Sequence, residues 1–154
     1  MSNAILKVPV PINEPNLTYA PGTAERMALK AVLSELPSKE LEIPLIVGGR
    51  EIRTGRMGEC RSPHRHDRVL AKYHQAGAPE VDQAIAAAMA AGREWAAMCW
   101  HDRAAIFLKA AELLAGPWRQ VLNAATMLGQ SKTAFQAEIN SACELIDFLR
   151  FNVH

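Results

Sequence analysis

Cysteine is scarce in this sequence: Cys60, Cys99 and Cys143 are the only three in 154 residues. Their number is odd and no two share a C-x-x-C spacing, which argues against a disulfide framework. A reduced, intracellular protein is expected, its thiols packing as small hydrophobes. An excess of one charge is missing too. With 17 basic and 16 acidic residues the net charge is +1, so no global field draws the chain to nucleic acid or to a membrane surface. No apolar run approaches the roughly 18 to 20 residues that span a bilayer. The opening MSNAILKVPVPINEP lacks the basic region and long apolar stretch of a secretory signal. Together these absences predict a cytoplasmic protein.

Phosphate-binding signatures are absent as well. There is no G-x-G-x-x-G and no complete Walker A loop. Gly129-Gln130-Ser131-Lys132-Thr133 resembles the end of such a loop, but its upstream glycine is missing. It reads instead as a helix C-cap followed by an N-cap. No internal repeat or low-complexity tract occurs.

What is present is globular composition, 49% hydrophobic and 21% charged, in a chain long enough for one domain with a core. Residues 5–22 carry Pro9, Pro11, Pro15 and Pro21, which excludes helix and predicts an extended arm over residues 1–22. A second unit, 23–154, follows. In it Thr23 caps a helix to about Leu36, which Pro37 ends. IPLIVGGREIRT, residues 43–54, predicts a hairpin turning at Gly48-Gly49. A strand is expected over Arg68–His74, after a polar connection rich in Arg and His.

The remainder reads as helices. One runs from Pro79 to about Met98, with a stripe of Val81, Ile85, Ala88, Met89 and Ala96 and an alanine-rich face. Another spans Asp102 to Ala115 with Ile106, Phe107, Ala110, Leu113 and Leu114 inward, stopped by Gly116-Pro117. A third covers Pro117 to Leu128 and closes at Gly129. The last starts near Ser131, with Phe135, Ile139, Ala142, Ile146 and Leu149 as one continuous apolar stripe.

Few residues offer chemistry. Cys60, His64, His66 and His74 hold the ligand types zinc uses, but no paired ligand set follows at a standard spacing. Arg61, Arg65 and Arg68 would repel a cation. A solvated loop is expected, without metal. The same basic segment could contact phosphate, yet no nucleic-acid recognition motif surrounds it. Cys143 lies beside Glu144, which would raise a thiol pKa, and no cation is near in sequence. Cys99, between Met98 and Trp100, suggests packing. No catalytic residue is expected here. Glu144 lies away from the Ile139/Ile146 stripe, on the side of Asn140, Asp147 and Phe151, where a carboxylate is most often simply solvated.

The segments HDRAAIFLKAAELLAG and MLGQSKTAFQAEINSACELIDFLRFN resemble the N-terminal region of the Δ1-pyrroline-5-carboxylate dehydrogenases, a branch of the aldehyde dehydrogenases. NEPNLTYAPGTAER, IPLIVGGREIRT and AIAAAMAAGREW support the resemblance, which runs from about Val8 to Asn152. SPHRHDRVLAKYH departs from the family's wording. The resemblance implies an α/β fold, here an incomplete N-terminal part of an NAD-binding domain, mostly helical with a small β-hairpin element. It implies an enzyme that oxidises L-glutamate γ-semialdehyde to glutamate. In that enzyme a Cys thiolate attacks the aldehyde, a hydride passes to NAD, and water hydrolyses the thioester.

The catalytic Cys, the general-base Glu and most of the NAD site lie outside the resembling region, so the chain alone is expected to be inactive. Its implied partner is the C-terminal remainder of the dehydrogenase, and the complete enzyme would be a homo-oligomer. One role carries over: Glu144 matches a family Glu on a helix lining the substrate entrance, where it would attract the substrate's α-ammonium. The competing expectation is a stand-alone interaction module, with a groove between the last two helices for a partner helix.

Overall fold

Proline keeps the first stretch of the chain out of helix, and residues 5–20 have no regular secondary structure. The computed structural model describes residues 5–36 and 41–154; the Pro37 stop lies outside them. The arm is nonetheless fixed at its far end. Tyr19 adopts a left-handed backbone (φ 53°) with its ring buried, and Arg26 donates to its carbonyl at 2.9 Å. Helix α1 (Ala24–Glu35) follows. Thr23 stands at its N-cap position, but its hydroxyl donates to the Ala20 carbonyl rather than capping the helix.

Among the described residues five strands form two sheets. β2 (Leu45–Val47) and β3 (Arg50–Ile52) make the hairpin foreseen at Gly48-Gly49. Both glycines have positive φ, 56° and 75°, the requirement of a two-residue I′ turn. β1 (Leu41–Ile43) pairs in parallel with β5 (Arg65–His74), and β4 (Met57–Ser62) pairs antiparallel on its other side. The basic connection is therefore a β4–β5 hairpin in place of the expected loop, though apart from Ser62 its residues 59–67 face solvent as anticipated. Its residues lack apolar alternation, so the ladder to β5 holds β4 in place of side-chain burial. Gly58 fits there because a Cβ would come within 2.4 Å of the Tyr73 ring.

Helix α2 (Ala78–Ala97) begins where the Glu80 carboxylate accepts the Gly77 N–H at 2.6 Å. None of its residues is buried. α3 (Trp100–Ala115) turns Ala111 inward, with Ala104 and Leu108 half-buried. Ile106, Phe107 and Leu113, expected inside, are exposed. Phe107 packs edge-on to Trp95 with centroids 6.2 Å apart, and α3 meets α4 and α6. α4 (Arg119–Gln130) ends at Ser131 in the left-handed region, two residues beyond the expected Gly129 stop.

The final helix is not one continuous α-helix. α5 (Ala134–Ala137), capped reciprocally by Thr133 and Gln136, passes into a π-helical turn, Glu138–Cys143, and then α6 (Glu144–Phe151). A π-turn inserts one residue into the register. Of the anticipated stripe Ala142 and Ile146 are buried and Ile139 and Leu149 half-buried, while Phe135 is exposed; Ala137, Glu138 and Cys143 are buried as well. The core lies where the arm, α1 and α4 meet, around Tyr19, Leu29 and Ala124. Among the described residues no helix is long and apolar enough to cross a membrane.

Candidate functional site: a groove over a buried ionic network

The π-turn places Glu138 where no solvent reaches it. A buried carboxylate needs partners for both oxygens. Glu138 accepts the Leu17 N–H at 2.7 Å, the Tyr19 hydroxyl at 2.8 Å and Asn123 Nδ2 at 2.7 Å. The Arg119 guanidinium adds Nε and Nη2. Burial opposes the charge, but Arg119, Leu17, Tyr19 and Asn123 together hold the carboxyl below its ordinary range. Burial, then the neighbouring Glu138, pushes the Tyr19 hydroxyl up to about 12.

Arg119 reaches further. Its Nη1 pairs with Glu14, and Nη2 donates to the Pro15 carbonyl at 2.7 Å. Glu14 in turn takes Arg150 at 2.7 Å. Asp147 then accepts the Glu14 N–H at 2.6 Å and Asn13 Nδ2 at 2.8 Å. The arm is thereby tied to three separate elements: α4, the π-turn and α6.

Above this network lies an open groove of about 780 Å³ between the arm and the last helix, lined among others by Asn13, Asn16, Asn140, Glu144, Phe148 and Phe151. Glu144 is exposed there, and its carboxylate has no ion-pair partner among the described residues. The other acids of the lining are committed, Glu14 to Arg119 and Arg150 and Asp147 to the arm. The groove therefore offers one uncommitted carboxylate beside aromatic rings and amide side chains, an arrangement suited to a small cationic group.

The remaining expected residues separate. Cys60 is exposed on β4. His64 meets Ser131 Oγ at 2.8 Å, and His66 meets the Pro63 carbonyl at 2.8 Å. His74 is buried, with Nε2 toward Glu42 and Nδ1 facing the Gly55 N–H. Each imidazole is engaged by a different partner, and the four do not converge. Cys99 is exposed, so its expected packing is not found. Cys143 is buried with its thiol pushed up to about 11, by burial first and then by Glu138, against a partly offsetting Arg119. Its charged neighbours are Glu138 and Arg119, rather than Glu144, so a cation distant in sequence is close in space. An apolar hollow of about 330 Å³ lies between α3 and α6, lined by Phe107, Leu145 and Phe148 among others, and not between the last two helices.

Sequence reasoning missed Glu138, Arg119 and Glu14 altogether. Arg119 and Asn123 stand four apart on α4 and so share a face, the one available hint.

A profile of the aldehyde dehydrogenase family fits residues 52–154, and the chain belongs to that family. Within it the chain is similar to Δ1-pyrroline-5-carboxylate dehydrogenases. It is 49% identical to that enzyme from Agaricus bisporus over 152 residues, covering 97% of this chain and 28% of the relative. The human mitochondrial enzyme is 46% identical over 140 residues, with 91% and 25% covered. The crystal structure of the Mycobacterium tuberculosis enzyme bound with NAD superposes on 99% of this chain and 29% of its own, with TM-score 0.95 and 48% identity. The chain thus spans little more than a quarter of the length of these relatives and forms part of the aldehyde dehydrogenase fold.

Proposed function

We propose that this chain is the N-terminal segment of an NAD-dependent dehydrogenase that converts L-glutamate γ-semialdehyde, water and NAD to glutamate and NADH. The supporting observation is the near-complete superposition on a Δ1-pyrroline-5-carboxylate dehydrogenase at 48% identity. Glu144, at the mouth of the groove, receives the substrate's α-ammonium; it is a binding residue and performs no covalent step.

NAD belongs to the remainder of the enzyme. Among the described residues the junction of β5 with α2 already has an anion at its helix N-terminus, the Glu80 carboxylate on the Gly77 N–H. The Arg56 guanidinium also closes over Gly77. A pyrophosphate would meet that carboxylate, so these residues do not fit the cofactor.

The C-terminal remainder is the partner in this reading, and the assembled enzyme is a homo-oligomer. Its seat on this segment is the exposed face of α2 and α3, where Val81, Ile85, Met89 and Ile106 face solvent. Free thiols at Cys60, Cys99 and Cys143 suit a reducing compartment, and we assign the cytoplasm; the human relative is named as mitochondrial.

The test is NADH formation from glutamate semialdehyde by the chain alone and mixed with a separately produced remainder. Activity in the mixture only is expected. Glu144→Gln should then raise KM for the semialdehyde about tenfold or more while kcat stays within a few-fold, as for loss of an interaction common to ground and transition states. Activity of the chain alone, or none in the mixture, overturns the reading.

A further inference from the structure

Away from the groove, the junction of α2 and α3 gathers three donors of different chemistry. The Cys99 thiol, the His101 imidazole and the Asp102 carboxylate place their ligand atoms within 4.8 Å of one another. We propose that these residues bind a divalent cation of the zinc class, with solvent completing the coordination.

The backbone supports the grouping. Cys99 is the N-cap of α3, and its carbonyl accepts the N–H groups of Asp102 at 3.1 Å and Arg103 at 3.2 Å. Asp102 is the third helical residue, and the Cys99 side chain makes no capping hydrogen bond, which leaves the thiol available as a ligand. His101 sits between them, its ring edge-on to Trp100 with centroids 5.7 Å apart and planes at 88°, which restricts the imidazole.

The spacing is also informative. His101 Nε2 and an Asp102 oxygen are 3.5 Å apart, too long for a good hydrogen bond. Two ligands on a tetrahedral zinc, each about 2.1 Å from the metal, stand about 3.4 Å from each other. The thiol needs only a side-chain rotation to approach, since Cys99 is exposed and nothing must be unpacked. A thiolate, an imidazole and one carboxylate select zinc-like metals over magnesium or calcium, which take oxygen ligands.

Two effects oppose the cation. The helix N-terminus is positive, but a thiolate and a carboxylate together outweigh its partial charge. Arg103 is adjacent in sequence, yet its guanidinium is drawn over the Trp95 ring at 6.0 Å. Binding releases the thiol proton to solvent, so affinity rises with pH. The bound metal would clamp the first turn of α3 to its N-cap residue.

The proposal is independent of the dehydrogenase reading, and the 154-residue chain itself is the sample. The reduced, tag-free protein is titrated with Co²⁺ and then challenged with Zn²⁺, following the thiolate-to-cobalt charge-transfer band. One equivalent of Co²⁺ is expected to produce the band and Zn²⁺ to abolish it. Cys99→Ser should remove it, and His101→Gln or Asp102→Asn should weaken apparent affinity about tenfold or more, the scale of metal-site perturbations. Cys60→Ser, which alters the other exposed thiol, should leave the titration unchanged. Far-UV circular dichroism on each variant separates ligand loss from unfolding. Absence of the band, its survival in folded Cys99→Ser, or its loss in folded Cys60→Ser would overturn the site.

Discussion

The two sides of this molecule are built on opposite terms. Where the arm meets α1, α4 and the π-turn, polar groups are buried and nearly all are answered: Glu138 has partners on both oxygens, and Arg119 bridges three acceptors. On the α2 side no residue is buried, and Ile85 and Met89 are 57% and 76% exposed. One side finds its partners within the chain, while the other presents apolar surface to solvent. In the proposed reading the first kind of contact is local to the segment and the second is made by the remainder.

The sharpest way to break the contrast is Arg119→Ala. It leaves Glu138 buried without its cation, a loss of about 3–5 kcal/mol for a buried pair. The urea midpoint of the chain should fall accordingly, with protease cutting within the arm. Next in size is alkaline titration. Folding raises Tyr19 from 10.0 to about 12, so the native state favours the protonated phenol. Its contribution is complete below pH 10 and is lost as pH rises through about 12. At most about 2–3 kcal/mol is involved, and Tyr19→Phe should flatten that part of the stability–pH curve.

Glu138 works in the opposite direction. Its pKa is lowered, so its stabilisation is present above the ordinary carboxylate range and is lost as pH falls below it; Glu138→Gln should diminish this acid loss. Gly48→Ala should cost about 1 kcal/mol through its positive φ, read as a small drop in melting temperature. Met89→Asp should move the chain's own stability least, within about 0.5 kcal/mol, yet abolish complementation by the remainder. A large stability loss from Met89→Asp would show that α2 is already packed in the isolated segment.

Much of the fold could be read from residue order because local chemistry fixes it. Proline excluded helix from the arm, Gly48-Gly49 set the hairpin, and the apolar periodicity located α2, α3 and α4. β4 was not readable, since Met57–Ser62 has no alternation and is held by its neighbour. Nor was the π-turn, because one inserted residue leaves a 3.6-residue pattern almost intact while moving Glu138 into the interior. The wheel that grouped Glu144 with Asn140, Asp147 and Phe151 did survive, as all four line the groove. What it could not supply was the arm opposite, since Asn13 and Asp147 lie 134 positions apart.

That separation sets a timetable for synthesis. Apart from local contacts such as that of Arg26 with the Tyr19 carbonyl, the hydrogen bonds described for residues 13–19 reach partners 101 to 136 positions later, so most of the arm leaves the ribosome long before its partners exist. The β-hairpin and α2 are complete while Glu14 still lacks both of its arginines. Loop-closure entropy delays such distant pairing. Residues made early are therefore fixed late, and through that interval the nascent chain carries four prolines' worth of resistance to forming the wrong helix.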